Sequence, residues 1–155
     1  MVRLSAKSEY ALLALLALSL HLGEEPLRVR AIAQKEKIPI RFLEQVMNLL
    51  KKQGLVESIR GPHGGYRLAK DPEQIRLGEV LQAVEGPFVD FDRSLPKGQA
   101  PFGQTEGKGT DSIIFREVLD EVHRSLKTHL DSINFKDLCE RKRELEEKQT
   151  LMFHI

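Results

Sequence analysis

The stretch of residues 54–69 restricts the possible folds of this chain more than any other part. Residues 55–59 and 66–69 are short and rich in apolar and β-branched side chains, and they flank a turn that reads Arg-Gly-Pro-His-Gly-Gly. Two such runs joined by a glycine-rich turn predict an antiparallel hairpin. Because Gly54 also closes a helical pattern, the hairpin should follow directly on a helix.

Two helical patterns open the chain. Residues 11–22 are strong helix formers that Ser5 or Ser8 can cap, and the pattern ends at Gly23. Residues 29–37 hold apolar side chains at helical spacing in a second, short helix, which should end before Pro39 because proline disfavours helix in the residue that precedes it.

The third helical pattern runs from residue 40 or 41 to residue 53 and has two different faces. Its apolar stripe consists of Leu43, Val46, Met47 and Leu50. Its polar face carries Arg41, Glu44, Gln45 and Asn48. A short helix, a tight turn and a second helix with a polar outer face form a helix-turn-helix, and the hairpin that follows makes this a winged helix. We therefore expect a mainly α fold with a small β-wing and a DNA-binding domain over residues 1–75.

The remainder of the chain predicts a connecting region and a long helix. Residues 76–110 should hold a short helix and then a mobile surface loop, because five Gly and three Pro fall within residues 86–110. Residues 111–155 should hold a long helix to residue 131 and a final short helix that Asn134 caps, with the charged residues 140–148 fraying into solvent. The long helix has one apolar seam, which predicts a homodimer through Ile114, Val118, Val122, Leu126 and Leu130.

Composition excludes several classes of protein. Cys139 is the single cysteine, so one chain can form neither a disulfide nor a cysteine cage for a metal. No histidine pair has ligand spacing and no catalytic constellation is assignable, so we expect no metal site and no enzyme. The longest apolar run covers residues 10–22, which is too short to cross a bilayer, and no signal peptide fits. We expect a cytoplasmic protein that does not bind membranes.

Double-stranded DNA is the partner that the motifs favour. Residues 1–75 hold 12 Lys and Arg against 8 Asp and Glu, a modest basic excess. A solvated helix face and an ordinary hairpin turn are the alternatives for each motif alone, but their order along the chain favours DNA. The base-reading candidates are Arg41, Glu44, Gln45, Asn48 and Arg60. The phosphate-contact candidates are Lys7, Ser8, Tyr10, Lys51, Lys52, Gly64, Gly65, Tyr66 and Arg67.

Several of these stretches closely resemble the Rrf2 family of bacterial winged-helix transcription regulators. The resemblance rests on residues 4–12, 42–45, 54–56 and above all 60–68, with further landmarks at residues 77–86 and 131–138. It implies a homodimer joined by the helix at residues 111–131, with one recognition helix and one wing per subunit on a palindromic operator. It also implies that Glu44 and Arg60 take part in base readout.

The resemblance has one clear departure, which concerns the cofactor. Many family members hold an iron-sulfur cluster through three cysteines in the loop after the landmark at residues 83–86, and this chain has no cysteine at residues 86–110. Cys139 matches no ligand position of that pattern. Glu9 lies near the position from which some relatives supply a carboxylate ligand, but without the loop cysteines it has no further ligands to act with. We therefore expect no cofactor and a repressor that responds to a small-molecule effector or a partner protein. The alternative is a winged-helix interaction module that regulates a partner enzyme through its long helix.

Overall fold

The computed structural model describes residues 4–86 and 110–154, and for residues 110–112 it describes the backbone alone. Within these ranges the chain forms helices and a small two-stranded antiparallel sheet, which confirms the mainly α fold with a small β-wing. The elements are α1 (Ala6–Leu20), α2 (Val29–Glu36), α3 (Ile40–Lys52), β1 (Val56–Ile59), β2 (Gly65–Leu68), α4 (Leu77–Glu85), α5 (Thr110–Asp131) and α6 (Phe135–Phe153). The predicted loop at residues 86–110 lies outside the described residues except at its two ends.

The first helix begins earlier than its apolar run. The Ser5 side chain accepts a hydrogen bond from the Ser8 backbone N–H at 3.2 Å, so Ser5 is the N-cap and α1 starts at Ala6. The second helix ends at Glu36, its C-cap Lys37 adopts the left-handed conformation with φ 55°, and Pro39 lies two residues further on. These two local signals set the entry into α1 and the turn between α2 and α3.

The core lies between α1, α3, α4 and the wing. The predicted apolar stripe of α3 is confirmed, because all four of its residues are buried. The other fully buried large side chains near it include Leu15, Ile32, Leu55 and Ile75. A helix-turn-helix thus packs its apolar faces inward and leaves the polar face of α3 on the surface.

The start of α6 belongs to this same core. Phe135 is completely buried among the core residues of the winged helix. Its backbone N–H donates to the Ile75 carbonyl at 3.1 Å, and the Leu77 N–H donates to the Ile133 carbonyl at 2.8 Å. Asn134 caps α6 through a reciprocal capping box with Asp137, so the predicted cap is confirmed. The body of the winged helix therefore includes a residue far beyond position 75.

The expectation of a short, frayed final helix was wrong. The helix α6 has 19 residues and continues through the charged stretch to Phe153. The capping box fixes its first turn, and the burial of Cys139 anchors its second. Charges of opposite sign then recur at helical spacing, as in the pair between Lys142 Nζ and Glu146 Oε1 at 3.5 Å, and such pairs support an exposed helix.

The long helix α5 packs its C-terminal part against α4 and leaves an apolar seam on the surface. Ile114, Val118 and Val122 are between 51% and 56% exposed, whereas Leu126 and Leu130 are partly buried within the chain. In the described part of the chain, none of the helices has the length and apolar character needed to span a bilayer.

Candidate nucleic-acid interface

The polar face of α3 is the centre of the candidate interface. Arg41, Glu44, Gln45 and Asn48 are all exposed, and the apolar stripe on the opposite side of α3 is buried. At about 100° per residue these four side chains fall on one face of the helix. The structure therefore brings together the four base-reading candidates of α3 on the exposed face of this helix.

The wing stands beside this helix as a twisted hairpin with fixed register. Val56 pairs with Leu68 and Ile59 pairs with Gly65. The segment before α2 adds a further pairing, because the Leu27 N–H donates to the Tyr66 carbonyl at 2.9 Å and the Tyr66 N–H donates to the Leu27 carbonyl at 2.7 Å. The outer edge of β2 is thus paired with the segment that precedes α2.

Two wing glycines are required for close backbone approach. A Cβ on Gly64 would lie 2.3 Å from the Ile59 carbonyl oxygen, and a Cβ on Gly65 would lie 2.4 Å from the Leu27 carbonyl oxygen. The Gly64 N–H already donates to the Gly61 carbonyl at 3.0 Å, as the Tyr66 N–H does to Leu27. These two amide groups serve the wing itself, so they meet phosphate only if the wing rearranges.

The basic side chains of the interface differ in their partners. Arg60 is exposed at the end of β1, and Lys52 is exposed at the end of α3. Lys51 Nζ donates to Ser58 Oγ at 2.6 Å and so links α3 to the wing. Arg67 pairs with Glu57 across the hairpin. Among these four side chains, Lys51 and Arg67 therefore already have partners within the protein.

Sequence reasoning missed one basic residue at the wing. The Arg28 guanidinium donates to the Pro62 carbonyl in the turn of the wing. Arg28 is the N-cap of α2, so this contact ties the turn to the start of the helix-turn-helix. No local signal in the sequence pointed to it, because 34 residues separate the two partners.

The N-terminus of α1 requires a correction to the predicted phosphate contacts. Lys7 is exposed and Tyr10 is partly buried, but Ser8 is completely buried and its hydroxyl donates to Glu85 Oε1 at 2.6 Å. Ser8 is therefore not on the surface that could meet phosphate. Its hydroxyl is used to join α1 to the end of α4.

Glu85 accepts hydrogen bonds from the start of α1. The Ser5 backbone N–H donates to Glu85 Oε1 at 3.0 Å, and the Ser5 and Ser8 hydroxyls donate to the same carboxylate. The side-chain hydrogen bonds from Ser5 and Ser8 lower the pKa of Glu85, against a smaller opposing effect of burial. A carboxylate at a helix N-terminus is also favoured by the helix dipole.

Cys139 lies away from this surface. It is buried in α6, and burial raises the pKa of its thiol. Among residues 4–86 and 113–154, no three His, Cys, Asp or Glu side chains are grouped so that they could hold a metal ion.

These features define a winged-helix DNA-binding protein: a helix-turn-helix with an exposed polar recognition helix, a wing whose turn requires glycine, and cations beside both. The family model described as Rrf2, "Iron-dependent Transcriptional regulator", matches residues 4–141 of this chain. The chain belongs to the Rrf2 family of transcriptional regulators.

Individual relatives agree with this assignment. The chain is 34% identical over 137 residues to an HTH-type transcriptional regulator of Synechocystis sp., covering 88% of this chain and 87% of that protein. It is 42% identical over 97 residues to the HTH-type transcriptional regulator IscR of Cronobacter sakazakii, an alignment that covers 63% of this chain and 59% of that regulator's length.

Two solved structures resemble the whole fold. The structure of CymR, the global cysteine regulator of B. subtilis, matches with a TM-score of 0.71 and 30% identity over 91% of this chain and 98% of that one. The structure of IscR from T. potens matches with a TM-score of 0.71 and 30% identity, covering 93% and 90%. These proteins are regulators, and the similarity extends beyond the winged helix to the helices that follow it.

Proposed function

We propose that this protein is a homodimeric, sequence-specific transcription repressor that occupies a palindromic operator. The observation that carries the proposal is the exposed polar face of α3 next to a wing whose second strand is paired with the segment before α2. A recognition helix of this kind enters the major groove, and its dimer binds two half-sites about one helical turn apart. Bound across promoter DNA, such a dimer excludes other proteins from the same site.

Base readout is proposed for five exposed side chains. Arg41 can donate a fork to guanine, Glu44 can accept from the amino group of cytosine, and Gln45 and Asn48 can pair with adenine. Arg60, at the end of β1, can reach a base edge beside the recognition helix or in the minor groove.

Phosphate attachment is proposed for side chains that surround this face. Lys7, Tyr10 and Lys52 lie at the ends of α1 and α3, and Lys51 and Arg67 join them once they exchange their internal partners for phosphate. Among the wing residues, Gly65 and the Tyr66 side chain remain candidates at the edge of the hairpin.

The two roles have different experimental signatures. Glu44→Ala should abolish discrimination at one base pair and cost roughly 1–3 kcal/mol on the preferred site, without weakening non-specific binding. Lys52→Ala should weaken binding to all sequences about equally and lower the salt slope by about 1. Gel-shift titration at two salt concentrations measures both. If Glu44→Ala keeps its full sequence preference, the assignment of Glu44 to base readout is wrong.

The homodimer is proposed to form through α5. Half-exposed Ile114, Val118 and Val122 recur every four residues along a helix that packs against α4. A second copy of the same seam would cover these side chains symmetrically, with Leu126 and Leu130 continuing the contact. Light scattering should give twice the chain mass of 17.7 kDa.

A charge in the seam tests the dimer. Val118→Glu would place a carboxylate in the contact twice and should weaken dimerisation by about two orders of magnitude or more, because each charge must lose water. Arg124→Glu is the matched control, since Arg124 is exposed about 120° further round the same helix. Equal effects of the two substitutions would place the dimer contact elsewhere.

An iron-sulfur cluster held by cysteines does not fit this chain. Cys139 is its one cysteine, and burial raises the pKa of that thiol, whereas a ligand must be a thiolate. We propose that the regulator acts without a cluster, has no enzymatic activity and works in the cytoplasm, with a small molecule or a partner protein as its signal. Protein purified without oxygen should be colourless and hold less than stoichiometric iron.

A further inference from the structure

Phe42 is a large apolar side chain that the recognition helix leaves on the surface. It is 57% exposed, although its neighbours Leu43 and Val46 are fully buried. The core beneath α3 is therefore complete without the Phe42 ring. An exposed phenylalanine in the first turn of a base-reading helix is available for a contact outside the chain.

The ring borders a cleft next to the base-reading face. The cleft has a volume of about 410 Å³ and lies between the N-terminus of α1 and the first two turns of α3, with Lys7, Tyr10, Phe42 and Gln45 among its lining residues. Phe42 and Gln45 are three residues apart, which places them about 60° apart on the helix. Gln45 belongs both to the lining of the cleft and to the proposed base-reading face. Lys7 is a cation on the α1 side of the cleft.

The chemistry of the major groove identifies what this cleft can take. Arg41, Glu44, Gln45 and Asn48 are proposed to read bases through hydrogen bonds that their polar end groups make. The C5-methyl of thymine is the apolar group that bases expose in the major groove, and an aromatic ring is a suitable contact for it. Its neighbours would be an amide that can pair with adenine and a lysine that can pair with phosphate.

We infer that Phe42 is a specificity residue that contacts the thymine methyl of a base pair adjacent to the one read by Gln45. This inference rests on the proposed DNA-binding function and extends it to a residue with no hydrogen-bonding side chain. Burial of one methyl-sized group contributes a factor of roughly four to affinity. Two symmetric half-sites should together contribute a factor of roughly fifteen.

Replacement of thymine by deoxyuridine tests this contact, because it removes the methyl and leaves every hydrogen-bonding group of the base pair. The probe is the duplex that full-length protein selects from random DNA, prepared with each symmetric pair of thymines changed to deoxyuridine in turn. One pair should weaken binding of the wild-type protein by roughly fifteenfold. Phe42→Ala should bind the thymine and deoxyuridine duplexes equally, whereas Phe42→Leu should keep part of the difference.

Two controls separate the possible failures. Leu22→Ala removes another exposed apolar side chain, which is 56% exposed and lies just beyond the C-terminal end of α1, and should leave the deoxyuridine effect unchanged. Thermal unfolding checks that Phe42→Ala remains folded. If no duplex is selected, the proposed function fails. If a duplex is selected but no thymine is sensitive, or if Phe42→Ala retains the sensitivity, the role of Phe42 is refuted.

Discussion

Phe135→Ala is the substitution that most directly tests the architecture. Phe135 is the first residue of α6, yet it is completely buried in the core that α1, α3 and α4 form. Truncation of a buried phenylalanine costs about 3–5 kcal/mol, because the transfer free energy of the ring is lost and a cavity remains. That amount is a large share of the roughly 5–15 kcal/mol that stabilises an ordinary domain.

The same helix supplies a matched control. Phe153 is the last residue of α6 and is 89% exposed, so Phe153→Ala should change the free energy of unfolding by no more than about 0.5 kcal/mol. Urea unfolding followed by circular dichroism, at one fixed protein concentration, measures both variants. The fixed concentration matters because dimerisation contributes to apparent stability.

The result also bears on where the DNA-binding unit ends. Because Phe135 shares a core with Leu15 and Val80, its loss should lower DNA binding and secondary structure in a single transition. A fragment of residues 1–75 lacks both Val80 and Phe135 and should not fold cooperatively on its own. Equal stability of the two phenylalanine variants, or cooperative folding of the fragment, would contradict the position of α6 in the core.

Three further predictions follow from individual contacts. Glu85→Gln should destabilise the protein by roughly 1 kcal/mol, a small value because the carboxylate is exposed. Because folding lowers the pKa of Glu85, the ionised carboxylate stabilises the wild-type protein at pH values above the unfolded-state pKa. This stabilisation is lost as the pH falls through the folded-state pKa. Thermal unfolding of Glu85→Gln should lack this dependence on acid pH. Gly64→Ala should cost about 1–3 kcal/mol and weaken DNA binding in a gel shift, because the new Cβ would lie against the Ile59 carbonyl. Cys139 should react with a disulfide reagent on the order of tenfold or more slowly in the native protein than after unfolding, since its thiol is buried and its pKa is raised.

Local signals in the sequence determined the helix-turn-helix and the wing. The apolar stripe of α3 has the helical period, and Pro39 prevents α2 from continuing into α3. The glycines after Arg60 allow one tight turn. Each of these signals acts within a few residues, where backbone sterics and capping leave few alternatives. The Asn134 cap was predictable for the same reason. The length of α6 was not, because a stretch with charges on all sides is also typical of a helix end that frays into solvent.

Contacts between distant residues were decided only by tertiary structure. Ser8 had the appearance of a surface residue near the start of a helix, and its burial results from Glu85, which lies 77 residues away. Phe135 looked like the first residue of a separate helix, but it is buried in the core, because α6 packs against α1. Periodicity assigns a side chain to one face of its own element, and it contains no information about which other element covers that face. The boundary of the winged-helix core and the partner of Ser8 therefore depended on how the helices pack together.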